Sequence, residues 1–279
     1  MGLKRTVTDG VRSIAPPSVF NYARRVYHWL GDMTVRPHVE THVYGGVPLS
    51  VHIENRGAQG WYTRDWQELR EIQLLSKGRL RPGATVFDIG AHHAIVAMML
   101  GHIVGPAGKV VAVEASSVHA DTARRNIALN RVQNVTLIEA AADSESGQRS
   151  FTPDSDSIDR GEPGMGKIVV KALSVDDLTA EFGQPDVLFI DVEGFECKVL
   201  GGASNTLRGR PDLFIEVHVG VGLEEYGDSV EDVVRLIPPG YEISMAAPDG
   251  EFRPLDKTDD VTRQRFFLVA RFAASAARL

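Results

Sequence analysis

From Pro82 onward, short apolar segments of the chain alternate with segments whose apolar residues recur at helical spacing. Such alternation is typical of βαβ units, in which parallel strands form a sheet that helices cover on both faces. Predicted strands cover residues 84–89, 109–113, 135–138, 187–190, 213–217, 241–244 and 265–271. The sequence therefore predicts an α/β protein with a seven-stranded, mostly parallel sheet.

Polar residues stand at or near the carboxyl ends of the predicted strands. They are Asp88, Glu114, Asp191, Glu216 and His218. Open parallel sheets bind their ligands outside the carboxyl ends of the strands, at the point where the strand order reverses. We therefore expect these five side chains to gather along one edge of the sheet and to form the functional site.

The segment Val86-Phe-Asp-Ile-Gly-Ala-His-His-Ala carries the most informative local chemistry. Gly90 permits a tight turn after the strand and lets a ligand approach the backbone. Asp88 would repel a pyrophosphate, whereas it would attract the ammonium group of a methionine moiety. Because this loop has only Gly90 where dinucleotide sites have Gly-x-Gly-x-x-Gly, the sequence disfavours NAD binding.

Glu114 ends the next predicted strand, 26 positions after Asp88. A carboxylate at this place can accept hydrogen bonds from both hydroxyls of a ribose, although strand-end acids also cap helices. Ala141, Ala142 and Asp143 follow the third strand, where the fold would place an adenine. Asp143 either accepts the exocyclic amine or starts a turn. Together, Asp88 and Glu114 predict a nucleoside site.

Between Trp66 and about His218, the chain resembles the FkbM family of methyltransferases. The resemblance rests on Val86-Phe-Asp-Ile-Gly-Ala-His, Val113-Glu-Ala, Arg125-Asn-Ile-Ala-Leu-Asn, Ala141-Ala-Asp-Ser-Glu-Ser-Gly, Ile190-Asp-Val-Glu-Gly-Phe-Glu, Val199-Leu-Gly-Gly-Ala and Ile215-Glu-Val-His. It implies a Rossmann-like class I methyltransferase fold. It also implies S-adenosylmethionine-dependent O-methylation of a hydroxyl on a sugar, a glycolipid or a polyketide-type natural product.

The first loop departs from the family pattern Asp-x-Gly-Ala-Asn-x-Gly at two positions. His92 replaces the Asn and Ala94 replaces the second glycine. Alanine can still start a helix, so we expect cofactor binding to be kept. The strand-end argument and the resemblance together predict cofactor contacts at Asp88, Gly90, Ala91, His92, Glu114, Ala115, Ala142, Asp143 and Asp191.

Methyl transfer from a sulfonium is an in-line displacement, for which the enzyme mainly aligns donor and acceptor. An alcohol acceptor must also lose a proton, so a base or a metal is useful. Asp191 is predicted to orient the acceptor, and His218 is the first candidate for a general base because imidazole titrates near neutral pH. Glu193 is either a third catalytic residue or a structural carboxylate at a helix N-terminus. His92 and His93 form a second candidate base.

A divalent metal is the alternative means of activating an alcohol. Asp191, Glu216 and His218 could bind Mg²⁺ or Mn²⁺, although no spacing signature fixes such a site. Cys197 follows the fourth strand and is expected to be buried and unreactive.

Residues 1–78 are predicted to form an N-terminal extension, and residues 79–279 the S-adenosylmethionine-binding domain. The extension contains an amphipathic helix candidate with Val19, Tyr22, Val26, Trp29 and Met33 on one face, then a hairpin and a further helix over about 65–77. The amphipathic helix would cap the core, form a homodimer or lie on a membrane surface. Substrate contacts are also expected in the extension.

Composition excludes several classes of protein. The 279 residues carry a net charge of −7, which argues against nucleic acid and favours a small-molecule or glycan acceptor. A single cysteine rules out an internal disulfide and suits a reducing cytoplasm, where we expect the protein. No apolar run is long enough to span a membrane, and no secretory signal is seen.

Two other functions stay open at this stage. One is N-methylation of a small amine or a peptide, which needs less help from a base. The other is a non-catalytic scaffold that has kept the fold and lost the donor site, an idea prompted by His92 and Ala94.

Overall fold

The computed structural model describes residues 35–152, 157–158, 168–255 and 263–272. The chain forms two compact units. Of the described residues, the smaller unit contains 35–42 and 50–65, and the larger unit contains 43–49 and those from 66 onward. The predicted amphipathic helix lies outside the described residues. No helix in the described parts combines the length and the apolar character needed to cross a bilayer.

The chain begins its described part with a β-hairpin. Strands β1 (His38–Tyr44) and β2 (Val47–Ile53) form a two-stranded sheet. The turn between them consists of Gly45 and Gly46, whose φ angles are 56° and 86°. Positive φ at both positions is what a two-residue hairpin turn requires, so the predicted hairpin is confirmed.

The helix predicted over about 65–77 is wrong in its extent. The structure has two short helices, α1 (Arg56–Tyr62) and α2 (Arg70–Leu75). Asn55 caps α1 by accepting the backbone N–H of Ala58 at 2.7 Å. Trp66 is held extended instead, because its N–H donates to the carbonyl of Val43 at 2.8 Å. The β-bridge between Tyr44 and Trp66 therefore takes the place of the first turn of the predicted helix.

Twelve further strands follow in the parts of the chain that the structure describes. They are β3 (Thr85–Ile89), β4 (Lys109–Glu114), β5 (Val135–Glu139), β6 (Ala141–Ala142), β7 (Gly147–Thr152), β8 (Ser157–Ile158), β9 (Ile168–Leu173), β10 (Val187–Ile190), β11 (Asp212–Val217), β12 (Tyr241–Ala246), β13 (Arg253–Pro254) and β14 (Phe266–Phe272).

Among the described residues, five helices connect these strands. They are α3 (Ile95–Val104), α4 (Ser117–Leu129), α5 (Val175–Phe182), α6 (Glu196–Gly201) and α7 (Val230–Leu236). Short 3-10 helices cover Thr206–Gly209 and Leu223–Tyr226. Ser174 caps α5 by accepting the N–H of Asp177 at 3.0 Å.

The central sheet has the order β13-β12-β14-β11-β10-β3-β4-β5. The strands from β5 to β11 are parallel, and β14 is antiparallel between β11 and β12. The seven predicted strands are all present, and the two-residue β13 adds an eighth at one edge. From β3 the chain builds first toward β5 and later from β10 toward β11. The order therefore reverses between β3 and β10, which is where such sheets bind ligands.

A second sheet was not predicted. It has the order β6-β9-β7-β8, and its longest pairing joins β7 to β9 from Gly147↔Ala172 to Phe151↔Ile168. The stretch over 143–166 is polar and rich in Gly, Pro, Ser and Asp, so it has no clear strand pattern. Strand β7 is polar, and its partner β9 lies beyond that stretch. Their pairing joins residues that are distant in sequence, so a local pattern does not indicate it.

One carboxylate ties three segments together at the amino end of the central sheet. Asp212 begins β11 and is 1% exposed. Its Oδ2 accepts the backbone N–H of Arg79 at 2.7 Å, and its Oδ1 accepts that of Phe272 at 3.1 Å. These bonds satisfy a charge that would otherwise be costly to bury.

Candidate active site

The carboxyl ends of β3 and β10 meet at the point where the strand order reverses. The N–H of Asp191 donates to the carbonyl of Ile89 at 2.9 Å. A Cβ atom on Gly90 would lie 1.8 Å from the carbonyl oxygen of Asp191, and Gly90 has φ +92°. Both facts require glycine at this position. The first loop, residues 90–94, therefore lies directly beside the residues that follow β10.

Asp88 is a buried carboxylate just before this loop. It is 2% exposed, and its Oδ2 has no hydrogen-bond partner among the described residues. Burial, with a smaller contribution from Glu114, raises the pKa of Asp88 to about 7. An ammonium group of a ligand would supply both a hydrogen bond and the opposite charge that this side chain lacks.

Glu114 ends β4 as predicted and is 8% exposed. Its Oε2 accepts the N–H of His92 at 2.7 Å, and its Oε1 accepts that of Ser116 at 2.7 Å. A carboxylate oxygen can accept two hydrogen bonds, so this arrangement is compatible with further bonds from ribose hydroxyls. The position of Glu114 is confirmed, and its ribose contact stays a prediction.

The residues predicted to contact the adenine follow the neighbouring strands. Ala141 and Ala142 form β6, and Asp143 comes directly after it. Ala115, which is predicted as a cofactor contact only, comes directly after β4. Asp143 is 3% exposed, accepts the N–H of Ser144 at 2.6 Å, and forms an ion pair with Arg149. Its carboxylate therefore anchors the start of the second sheet, and a bond to the adenine stays a prediction.

Three imidazoles pack together beside Glu114 and form the histidine cluster, His92, His93 and His119. The rings of His92 and His93 stack with centroids 4.0 Å apart, and those of His92 and His119 lie 4.1 Å apart. Burial lowers the pKa of both His92 and His119. Both imidazoles are therefore neutral near pH 7. The carboxylate of Glu114 lies beside them, with its Oε1 3.9 Å from Nδ1 of His119.

Four predicted catalytic or metal-binding residues meet on the other side of Gly90. This acidic cluster consists of Asp191, Glu193, Glu216 and His218. Nε2 of His218 lies 3.6 Å from Asp191 Oδ1, 3.5 Å from Glu193 Oε2 and 3.6 Å from Glu216 Oε1. The strand ends thus gather these side chains as the sequence predicts.

The protonation of His218 differs from the expectation for a general base. Burial opposes its charge, but a hydrogen bond to Glu196 and the nearby carboxylates outweigh that effect and raise the pKa of His218 to about 9. Nδ1 of His218 lies 2.7 Å from Oε1 of Glu196. The imidazole is therefore protonated at neutral pH, which disfavours its predicted role as the base.

The carboxylates of the cluster are not equivalent. The pKa of Asp191 is raised above its ordinary value, because its carboxylate is partly shielded from water and lies near Glu216. Burial also raises the pKa of Glu216, although Arg265 opposes this shift, with its Nη1 3.1 Å from Oε1. Asp191 and Glu193 keep side chains that are 42% and 53% exposed. These two carboxylates can therefore reach a ligand, whereas Glu216 is held by Arg265.

Two acids at the site were missed by the sequence reasoning. Glu196 is completely buried and orients His218. It is the last residue of the Asp-Val-Glu-Gly-Phe-Glu segment, which could have indicated it. Glu71 on α2 is 6% exposed, and burial together with Glu216 raises its pKa to about 7. Nothing in the local pattern distinguishes Glu71 from a surface acid of a short helix.

Comparison with known protein families gives the context for this geometry. The sequence profile of the methyltransferase FkbM domain matches residues 88–237, more than half of the chain. The chain belongs to the FkbM methyltransferase family. The family identified from sequence motifs is thereby confirmed.

Individual relatives of this FkbM-family chain are more distant. It is 34% identical over 97 residues to hexuronic acid methyltransferase AglP of Haloferax volcanii, a match that covers 34% of this chain and 35% of AglP. The structure of precorrin-6y C5,15-methyltransferase from Geobacter metallireducens is similar with a TM-score of 0.45 and 20% identity, covering 74% and 89% of the two chains. A SAM-dependent O-methyltransferase from Thermotoga maritima has a TM-score of 0.45 and 13% identity, covering 84% and 78%.

The two departures from the FkbM pattern lie at positions of left-handed backbone. His92 has φ +47° and Ala94 has φ +62°. Asn and Gly, the residues of the family pattern, adopt this conformation more readily than His or Ala. The loop keeps the conformation here at a cost of about 1–2 kcal/mol for each residue. In return, the substitution at position 92 adds one ring to the histidine cluster.

Proposed function

We propose that this protein transfers the methyl group of S-adenosylmethionine to a hydroxyl group of a sugar, a glycolipid or a polyketide-type natural product. The observation that carries the proposal is the contact between Gly90 and the carbonyl of Asp191. Because of this contact, the first loop, which would bind the nucleoside of the donor, lies next to the acidic cluster, which would bind the acceptor hydroxyl. Membership of the FkbM family and the similarity to AglP, a hexuronic acid methyltransferase, support methyl transfer to a carbohydrate.

The donor would bind across the ends of β3 and β4. Asp88 would accept the ammonium group of the methionine moiety, and Glu114 the two ribose hydroxyls. The cofactor also carries a positive sulfonium, which the acids on both sides of Gly90 would attract. The burial of Asp88 supports this assignment, because a matching cation offsets the cost of an isolated charge.

The acceptor would bind over the acidic cluster. Its hydroxyl oxygen attacks the methyl carbon in line with the carbon–sulfur bond, so that a carbon–oxygen bond forms as the carbon–sulfur bond breaks. The sulfonium becomes the neutral thioether of S-adenosylhomocysteine, and the hydroxyl proton passes to the carboxylate of Asp191. Alignment of the two groups supplies most of the acceleration expected of such a site.

Transfer of labelled methyl groups tests the proposal. The full chain is incubated with S-adenosylmethionine carrying a tritiated methyl group and with panels of hydroxylated sugars and polyketides. Asp191→Asn should lower turnover by about 100-fold or more at saturating cofactor. Calorimetry of the same variant measures its affinity for S-adenosylmethionine, so that a weaker donor contact is distinguished from loss of the proton acceptor. Glu145→Gln, an exposed acid outside the site, is the control. Turnover that survives in Asp191→Asn would contradict the role of this carboxylate.

N-methylation of an amine is a second candidate because the acidic cluster would attract a cation. Asp191, Glu193 and Glu216 lie within 3.6 Å of one imidazole, and such a surface raises the local concentration of a positively charged substrate. A matched panel of amines separates the two functions. Label on amines alone would overturn the hydroxyl acceptor, and no turnover with either panel would favour the scaffold.

A further inference from the structure

His218 presents a buried nitrogen to a group of carboxylates. The residue is 1% exposed, and its Nε2 has no hydrogen-bond partner among the described residues. Three carboxylate oxygens lie 3.5–3.6 Å from this atom. These distances are too long for a good hydrogen bond to a ring nitrogen. A buried polar atom aimed at acids in this way indicates that a further group belongs between them.

The opposite nitrogen of His218 is firmly held. Nδ1 lies 2.7 Å from Oε1 of Glu196, which also accepts the N–H of Gly194 at 3.0 Å. Glu196 is completely buried. A carboxylate that binds one ring nitrogen fixes the orientation of the ring and makes the other nitrogen a better metal ligand. The Glu196–His218 pair therefore has the arrangement found behind metal-binding histidines. A cation bound at Nε2 would displace the proton that this nitrogen carries at neutral pH.

We propose that Asp191, Glu193 and His218 bind one divalent cation of the Mn²⁺ class. Their ligand atoms all lie within 4.8 Å of one another. A cation with bonds of about 2.1 Å would hold neighbouring ligands about 3 Å apart, so the side chains need to close by less than about 2 Å. The partly exposed Asp191 and Glu193 side chains have room for this adjustment. The cation would also neutralise acids that repel one another at the site.

The ligand set narrows the choice of metal. Carboxylates suit Mg²⁺, Ca²⁺ and Mn²⁺, whereas an imidazole suits transition metals. Two carboxylates and one imidazole therefore favour Mn²⁺ over Mg²⁺. Glu216, which the sequence placed among the metal ligands, is instead the partner of Arg265 at 3.1 Å. Glu193 takes its place in the proposed site.

The role of the cation rests on the proposed function. Three protein ligands leave positions open for other groups, as in catalytic metal sites. The acceptor hydroxyl would occupy one of them, where the cation would lower its pKa, and its proton would pass to the oxygen of Asp191 that does not bind the cation. The cation would lie close to the donor, because one of its ligands, Asp191, contacts the first loop at Gly90.

Mn²⁺ binding to the full chain tests the site independently of turnover. After treatment with a chelator, the protein is titrated with Mn²⁺ and the free ion is measured by electron paramagnetic resonance. We expect one ion per chain, with affinity at least tenfold weaker in Glu193→Gln. This side chain is 53% exposed, so its replacement should leave the fold intact, which a thermal melt checks.

Two control variants identify the location of the ion. Glu145→Gln removes an exposed acid elsewhere, and His119→Asn removes one ring of the histidine cluster, the other group of potential metal ligands among the described residues. Affinity kept in both variants supports the proposal. No binding to the unmodified chain, unchanged affinity in Glu193→Gln, or a loss confined to His119→Asn would overturn it.

Cofactor binding is measured on the same samples by calorimetry. A chain that binds S-adenosylmethionine but no Mn²⁺ would refute the cation site and leave the proposed methyl transfer standing. A chain that binds Mn²⁺ at Glu193 but does not bind S-adenosylmethionine would refute the proposed methyl transfer and leave the cation site standing. The two proposals therefore fail in distinguishable ways.

Discussion

Oε2 of Glu114 accepts the backbone N–H of His92 at a distance of 2.7 Å. This bond joins the end of β4 to the first loop, so the same carboxylate shapes the loop and is placed to bind the ribose. A change at Glu114 should therefore affect the cofactor through both its direct contacts and the loop conformation.

Glu114→Gln should weaken S-adenosylmethionine binding by about 10–100-fold, because charge-assisted hydrogen bonds are worth roughly 1.5–3 kcal/mol. Calorimetric titration measures the change. Glu139→Gln is the matched control, since Glu139 lies opposite Glu114 in the register of β4 and β5 and pairs only with the surface residue Arg124 among the described contacts. Equal affinity in the two variants would contradict the ribose assignment.

Gly90→Ala should destabilise the fold by more than about 3 kcal/mol, since it combines a positive φ with a clash against backbone. Gly83→Ala isolates the first effect. Gly83 has φ +88°, but an added Cβ would meet nothing within 4 Å, so we expect a loss of about 1–2 kcal/mol. Urea denaturation measures both. If the two variants lose similar stability, the contact with Asp191 is not as close as described.

Asp88→Asn should stabilise the cofactor-free protein in a pH-dependent manner. The pKa of Asp88 is about 7 in the folded state and about 3.9 in an unfolded chain. Between these values the folded state holds the proton more tightly, so stability falls as pH rises toward 7. Asp88→Asn has no carboxyl group to ionise at this position, so its stability does not fall in this way. The difference in free energy of unfolding between the variant and the unmodified protein should grow from near zero at pH 4 to at most about 4 kcal/mol at pH 8.

Thermal melts of both proteins across this pH range provide the measurement. Glu114 and Asp191 are the charged groups that interact with Asp88, and they are present in both proteins. An advantage that does not vary with pH would show that Asp88 is already ionised in the folded protein.

Cys197 should resist thiol reagents in the folded protein. It is 6% exposed, and burial together with nearby acids raises its pKa to about 12, so the reactive thiolate is scarce. Because the chain has one cysteine, labelling at pH 8 with and without denaturant is unambiguous. Rapid stoichiometric labelling without denaturant would contradict the described packing.

The sequence predicted the central sheet and the gathering of strand-end acids well. Apolar strands such as 187–190 are recognisable because parallel strands are buried on both faces. The strand ends then bring Asp88, Asp191 and His218 together by topology alone. These predictions needed only the order of elements along the chain.

Other features depend on contacts that a local pattern does not contain. The pairing of β7 with β9 joins residues across a stretch with no clear periodicity. The protonation of His218 depends on Glu196 and on how deeply both are buried. The extent of α2 depends on the bond from Trp66 to Val43. In each case a tertiary interaction decides the outcome.

The carboxylate of Asp212 fixes where the chain enters and leaves the central sheet. Because Arg79 and Phe272 bond to the same carboxylate, these two points lie side by side. They lie at the amino end of β11, whereas the acidic cluster lies at the carboxyl ends of the strands. The bonds that fasten the sheet and the residues that carry the chemistry therefore occupy opposite edges, so the fastening can be altered without changing any residue of the acidic cluster.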